Sequence, residues 1–288
     1  MSTSATPPGQ RRNGFESVAL STSYPRRRAA QAPGGSPADS DPLPVFCEQR
    51  SSAGGQFRRY RPVMNSPPYP ESSDPVSFDP ERGGRLLRAE GLAIVPVLRE
   101  LPLPAFDTPT LLPGWSVRDV LAHCSAALKM VAAGSSHDFS PASNEQDVLH
   151  RRGWPIEQLL TELASGYDGG AAAVDAAAGQ LDGVALGEWV HGGDVRQALG
   201  LPAAYSSEGL EDALVLLAER SRGKGLPATE VTLTEPAQSL RLGPVDVEPV
   251  ATLQTDAASL IRLCAGRSPD QSRIILTGAA GPDYLMFS

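Results

Sequence analysis

The chain has 288 residues, a formal net charge of −8 and 20% charged residues, which leaves room for two ordinary domains. No apolar run approaches the roughly 20 residues of a transmembrane helix, so we expect no membrane partner and a cytoplasmic protein. Three widely separated cysteines argue against a disulfide framework and a cysteine-based zinc ribbon. An excess of 33 acidic over 25 basic residues argues against nucleic-acid binding.

Residues 1–80 differ in composition from the rest of the chain. They contain 13 of the 27 prolines and nine arginines against seven acidic residues, and no apolar periodicity occurs before Leu86. Such a segment cannot bury enough apolar surface to offset its conformational entropy, so we expect a disordered Pro/Arg/Ser-rich tail. Two interpretations of this tail remain open. It could be an arginine arm that binds acidic partners, or the true translation start could lie nearer Met64.

Residues 81–205 contain four segments in which apolar residues recur at helical spacing. The segments are 86–101 with Pro96 inside it, 116–133, a weaker one from Asn144 that is interrupted at Pro155, and 184–199. Ser116 and Asp119 are residue types that cap the start of the second helix, and Gly200 is a stop signal for the fourth. Four helices connected in this way predict an up-and-down four-helix bundle.

From about residue 206 short β-like segments replace the long helices. The predicted strands are 230–234, 239–242, 250–254 and 273–277, and a further helix is predicted over 257–265. These strands are too short and too often interrupted by proline for a doubly wound sheet. The predicted fold class is therefore α+β, with a helical bundle over 81–205 and a small α+β domain over 206–288.

Two histidines and a glutamate are the candidate metal ligands. His123 borders the apolar stripe of the second helix, and Glu188 and His191 are i and i+3 on the fourth, which places their side chains side by side. The three would give the donor types of a catalytic zinc site with one open position. Asp194, i+3 from His191, could orient a ring nitrogen of that histidine or pair with Arg196. The alternative to a metal site, which spacing alone favours, is an exposed Glu188 and an interhelical hydrogen bond between a histidine and an aspartate.

The remaining candidates carry weaker signals. His137 and His150 lie among polar residues, so we expect both to be solvated. Cys124 follows His123 directly and therefore lies about 100° away around the helix, which predicts a core residue rather than a nucleophile. No serine-nucleophile elbow, phosphate-binding loop or dinucleotide fingerprint occurs in the sequence.

Two motifs resemble a known family. The run TPTLLPGWSVRDVLAH (108–123) resembles the start of the mycothiol-dependent maleylpyruvate isomerase family, within the DinB-like superfamily. The run EWVHGGDVRQALG (188–200) resembles the second motif of that family. The stretch AASLIRLCAGR (257–267) is similar to the small sterol-carrier-like domain that often follows the bundle. The resemblance covers roughly residues 86–280.

The resemblance implies a divalent metal, commonly zinc, which His123, His191 and an acidic residue hold inside the bundle. It also implies mycothiol as thiol cosubstrate and a small electrophilic substrate, with the metal lowering the pKa of the thiol. The acidic ligand of the family precedes the second histidine by four residues, where this chain has Gly187, so Glu188 becomes the candidate. Arg267 is the candidate catalytic residue, as a contact for a substrate carboxylate.

Two functions therefore follow from the sequence. The first is a metal-dependent isomerase or thiol transferase that uses mycothiol on a small electrophile. The alternative is a degenerate family member, with a weakened or absent metal site, that acts as a non-catalytic binding or regulatory protein. The first predicts about one zinc ion per chain, and the second predicts that the bundle is stable without metal.

Overall fold

The computed structural model of the chain describes residues 78–135, 138–278 and 281. The predictions for residues 1–77 and for His137 lie outside these residues. The structure contains the following elements in chain order: α1 (Arg82–Arg99), α2 (Val117–Ala132), α3 (Pro141–Arg151), α4 (Ile156–Ala176), α5 (Asp182–Leu199), α6 (Leu210–Gly223), β1 (Thr229–Thr234), β2 (Ala237–Leu242), β3 (Ala251–Thr255), α7 (Ala257–Cys264) and β4 (Ile275–Thr277). Among the described residues, no helix is both long enough and apolar enough to cross a membrane.

Helices α1, α2, α4 and α5 form the predicted four-helix bundle. Helix α4 packs along both α2 and α1, α5 packs against α1 and α2, and α3 lies against α2. The third predicted helix is two helices, because Pro155 lies at the N-cap of α4 and has no backbone N–H to continue α3. Helix α1 contains Pro96 and nevertheless continues to Arg99.

The start of α2 follows from its first residues. The hydroxyl of Ser116 accepts a hydrogen bond from the backbone N–H of Asp119, and the carboxylate of Asp119 accepts one from the N–H of Ser116. This capping box satisfies two backbone donors that the first turn leaves open, as the sequence predicted. It fixes the register of α2, and His123 then lies on the buried side of the helix.

The C-terminal region is built on a four-stranded sheet in the order β2-β1-β3-β4. Strand β1 pairs antiparallel with β2 and parallel with β3, and β3 pairs antiparallel with β4. Side chains of β1 and β3 alternate between buried and exposed, with Val231, Leu233 and Leu253 on the buried face. The α+β fold class is thus confirmed, although β4 is shorter than predicted because Arg273 ends a 3₁₀ turn.

Helix α6 connects the bundle to the sheet. It packs against α5 and α1 on one side and against β2 and α7 on the other. The boundary predicted near residue 205 falls in the loop between α5 and α6, and it stays a prediction. Residues on α5 and on the segment after α7 are consequently close enough to contact each other directly.

Candidate functional site

Two buried histidines from neighbouring helices meet in the bundle interior. His123 on α2 is 5% exposed and His191 on α5 is 6% exposed. Their ring centroids lie 5.2 Å apart and the ring planes are almost perpendicular, at 84°. The ring of Trp115 lies 5.4 Å from the ring of His123. The contact of α2 with α5 therefore brings together the two histidines that the sequence selected.

Asp194 lies one turn after His191 on α5 and orients it. The carboxylate of Asp194 is fully buried, and its Oδ2 lies 3.1 Å from Nδ1 of His191. Burial alone would raise the pKa of Asp194, but the charge of Arg267 and the hydrogen bond with His191 outweigh it and hold that pKa well below its usual range. An ionised carboxylate only accepts, so Nδ1 of His191 is the donor and Nε2 is the basic nitrogen.

Two further residues hold the carboxylate of Asp194 in place. The hydroxyl of Tyr205 donates to Oδ1 at 2.6 Å. The guanidinium of Arg267 donates from Nε to Oδ1 at 3.0 Å and from Nη2 to Oδ2 at 2.6 Å, which is a bidentate pair. The spacing in the sequence indicated that Asp194 could bond His191, one turn away on the same helix. Nothing in the sequence predicted the bond from Tyr205, because Tyr205 and Asp194 lie in different elements.

Arg267 lies in this network and is 8% exposed. Besides its two bonds to Asp194, its Nη1 donates to the carbonyl of Ala265 at 2.5 Å. The bonds that the structure gives to Arg267 therefore hold Asp194. Its contact with a substrate carboxylate stays a prediction.

Glu188 is buried, at 3% exposed, and not on the surface as the alternative hypothesis assumed. Its Oε2 has no hydrogen-bond partner among the described residues. Burial raises the pKa of Glu188 to about 8, and the neighbouring thiol of Cys124 lowers it only in part. Burial also raises the pKa of Cys124 well above its usual value.

The predicted zinc ligands do not lie as a three-ligand site in this arrangement. His123, Glu188 and His191 are donor types that zinc accepts. Within residues 78–135 and 138–278, however, no three side chains of His, Cys, Asp or Glu lie together in a way that could hold a metal ion. As these side chains lie, they do not fit a three-ligand site. Their assignment as ligands stays a prediction.

A second buried ion pair lies on the other side of α5, and sequence reasoning missed it. Glu90 on α1 is fully buried and accepts from Nη1 of Arg196 at 2.5 Å and from the hydroxyl of Ser207 at 3.4 Å. Burial raises the pKa of Glu90 although Arg196 opposes the shift. A signal was present, since Glu90 lies four residues from Leu86 and from Ile94, on the apolar face of α1.

This combination of a four-helix bundle and a paired-histidine centre defines a helical domain with a buried polar site. Residues 87–208 match the family model described as the mycothiol maleylpyruvate isomerase N-terminal domain. The matched segment contains both motifs, which confirms their resemblance to the mycothiol-dependent maleylpyruvate isomerase family.

Comparison with other proteins adds two solved structures. The chain is similar to the crystal structure of a mycothiol-dependent maleylpyruvate isomerase, with 15% sequence identity and a TM-score of 0.44. It is also similar to the structure of a histidine-to-alanine mutant of a mycothiol-dependent maleylpyruvate isomerase, with 14% identity and a TM-score of 0.43. Each similarity covers 71% of this chain and 95% of the other. No curated protein sequence matches the chain.

Proposed function

We propose that this chain is an enzyme that uses mycothiol as thiol cosubstrate and acts on a small electrophile as an isomerase or thiol transferase. The match of residues 87–208 to the family model supports mycothiol as the thiol cosubstrate. The observation that carries the proposal is the buried pair of His191 and Asp194, because it presents one basic imidazole nitrogen beside a second histidine.

His191 is the base in this proposal. A thiol attacks an electrophile only as thiolate, and an ordinary thiol has a pKa near 8.5, so a base that removes its proton speeds the reaction at neutral pH. Nε2 of His191 takes the proton from sulfur, and Asp194 stabilises the imidazolium that forms. The bidentate bond from Arg267 keeps Asp194 ionised and in position for this step.

Neither the isomerisation nor the transfer needs a further reactant. In an isomerisation the thiolate adds to a carbon of a cis double bond, and the π electrons move into the adjoining carbonyl group. Rotation about the resulting single bond precedes elimination of the thiolate, which takes its proton back from His191. In a transfer the carbon–sulfur bond persists, and the proton on His191 goes to the product or to the leaving group.

Zinc binding by His123, Glu188 and His191 is a separate prediction from the thiol chemistry. Because the arrangement of these side chains does not fit three-ligand binding, no step of the proposal uses a metal. The same observation favours the second candidate function, a family member that binds without catalysis. In that case the His191–Asp194–Arg267 network is purely structural.

The test is the rate of thiol consumption with purified full-length protein and mycothiol. Two probes cover the two reactions, a bromobimane alkyl halide for transfer and a carbonyl-conjugated cis double bond for isomerisation. We expect catalysis of one of them and a loss of about 10²-fold or more in His191→Gln, as for removal of a general base. His150→Gln is the matched control, because His150 is exposed on α3.

Two outcomes would refute the enzyme proposal. One is a wild-type rate no faster than mycothiol alone with both probes. The other is an equal loss in His191→Gln and His150→Gln. Saturable binding of mycothiol together with no acceleration of either probe would instead identify the non-catalytic candidate.

A further inference from the structure

We propose that Glu145 on α3 is a positioning residue for the paired-histidine centre and that it acts through the indole ring of Trp115. Glu145 thereby fixes, from a third helix, the orientation in which His123 and His191 meet. This role rests on the proposed function only for its effect on catalysis. Its effect on the two imidazole rings needs no reaction and can be measured in the resting protein.

A hydrogen bond joins Glu145 to Trp115. Nε1 of Trp115 donates to Oε2 of Glu145, with 3.2 Å between the two atoms. An indole ring carries a single polar atom, which only donates, so this bond uses its full hydrogen-bonding capacity. Trp115 is 4% exposed, and buried donors almost always have an acceptor. The carboxylate of Glu145 therefore selects how the ring is turned.

The main chain of Trp115 is held by separate bonds. Its N–H donates to the carbonyl of Leu112 at 3.1 Å, and its carbonyl accepts from the N–H of Thr110 at 3.0 Å. The hydroxyl of Thr110 donates to the same carbonyl at 2.9 Å. With the main chain fixed, rotation about the side-chain torsions is the freedom left to the ring. The bond to Glu145 restricts this rotation.

Ring contacts carry the orientation of the indole into the centre. The centroids of the Trp115 and His123 rings lie 5.4 Å apart, and the ring planes are tilted by 53°. His123 in turn meets His191 edge to face, with centroids 5.2 Å apart. Aromatic pairs at such separations prefer particular mutual orientations. A turn of the indole ring therefore changes the orientation of His123 and, through it, of His191.

The orientation of His191 matters for the base in the proposed function. Proton transfer requires the basic nitrogen and the thiol to be close and aligned. Asp194 holds Nδ1 of His191, and the ring of His123 packs against the same imidazole. We expect Glu145→Ala to lower kcat by about two- to tenfold, which corresponds to one ordinary hydrogen bond. The KM for mycothiol should stay unchanged, because the loss concerns the reacting step.

A set of variants separates the hydrogen bond from the charge of Glu145. Glu145→Ala removes the acceptor, whereas Glu145→Gln keeps an acceptor oxygen and removes only the charge. Trp115→Phe keeps an aromatic ring without the donor, so Glu145→Ala should have no further effect in that background. Gln146→Ala is the matched control, because Gln146 is the next residue on α3 and is exposed.

The experiment is NMR of the imidazole Cε1–H signals of the full-length protein at pH 7, with kcat and KM measured on the same samples. Glu145→Ala is expected to shift the signals of His123 and His191 and to lower kcat. Glu145→Gln and Gln146→Ala are expected to keep the wild-type signals and rate. The signal of His150, an exposed residue of α3, should stay in place in every variant and shows that this helix is intact.

Two outcomes would overturn the inference. One is a Glu145→Ala protein in which the signals of His123 and His191 do not move. The other is an equal shift in Glu145→Gln and Glu145→Ala, which would make the charge the cause. Glu145→Asp, which withdraws the carboxylate by one methylene group, gives the same test if Glu145→Ala does not fold. A wild type that accelerates neither probe would refute the proposed function, while the histidine signals would still decide the role of Glu145.

Discussion

The hydroxyl of Tyr205 donates a 2.6 Å hydrogen bond to Asp194 from a residue whose backbone is left-handed, with φ of +60°. A non-glycine residue in this conformation costs about 1–2 kcal/mol, so its surroundings must compensate. Two contacts accompany the hydrogen bond. The ring packs where Gly193 has no side chain, since a Cβ there would lie 2.4 Å from Cδ1, and the guanidinium of Arg262 lies 5.7 Å from the ring centroid.

Tyr205→Phe keeps the ring and removes only the donor. We expect it to lower the free energy of unfolding by about 1–2 kcal/mol, because a buried acceptor on Asp194 loses a partner. The measurement is urea unfolding of both proteins at pH 7. In an Asp194→Asn background the same substitution should cost clearly less, and an equal cost in both backgrounds would mean that the hydroxyl acts elsewhere.

Gly192→Ala tests the space that the buried Glu90 occupies. A Cβ at this position would lie 1.8 Å from Oε1 of Glu90, so the carboxylate would have to leave Arg196. Breaking a buried ion pair costs about 3–5 kcal/mol, and we expect a loss of that size in urea unfolding. Gly223→Ala is the control, because nothing lies within 4 Å of a Cβ there. Similar losses in the two variants would contradict the argument.

Asp194→Asn should be strongly destabilising at neutral pH and much less so in acid. It leaves the buried guanidinium of Arg267 without its anion, at a cost of about 3–5 kcal/mol. The folded protein holds the pKa of Asp194 below the unfolded value of about 3.9, so the contribution is present above pH 4. It is lost as the pH falls from 4 towards the folded pKa. The difference in unfolding free energy between the two proteins should therefore stay constant from pH 7 to pH 5 and begin to narrow below pH 4.

Asp182, in the first turn of α5, predicts the opposite dependence. Burial, and then the charge of Glu219, raise its pKa to about 6, so the folded chain binds this proton more tightly than the unfolded chain does. Stability from this group is full below about pH 4 and declines as the pH rises through 6. Asp182→Asn should thus stabilise the protein at pH 8, by ~1 kcal/mol after solvent screening, and change little at pH 4.

The control for Asp182→Asn is Asp168→Asn, which changes an exposed carboxylate on α4. Thermal unfolding at pH 4 and pH 8 measures both variants. Asp168→Asn should shift the midpoint little at either pH. If Asp182→Asn destabilises the protein at pH 8, interaction with Arg82 or with the α5 dipole outweighs burial, and the prediction is wrong.

Local signals predicted most of the fold. Ser116 and Asp119 fix the start of α2 through bonds three residues apart, and Gly200 ends α5 in the left-handed conformation. The sequence predicted one helix interrupted at Pro155, whereas Pro155 in the structure separates two helices. Signals of this kind depend on neighbours in sequence, and for that reason they can be recognised before the structure is known.

The candidate site was predictable only where its partners lie on one helix. His191 and Asp194 are a turn apart, and their bond follows from spacing. Cys124 was predicted as a core residue and is buried, but the influence of Glu188 on its pKa requires the packing of α2 on α5. Contacts between distant segments depend on the geometry of the packed helices, which residue spacing does not contain.

Through the pairing of Arg267 with Asp194, the small α+β region contributes a cation to the buried polar network of the bundle. Asp194 lies on a bundle helix, and Arg267 follows α7 in the C-terminal region. A chain cut in the loop after Tyr205 would keep His123, His191 and Asp194 but would lose the cation that keeps the carboxylate ionised. The segment that matches the family model, residues 87–208, therefore ends before this buried network does, and a fragment that keeps the Asp194–Arg267 pair must include residue 267.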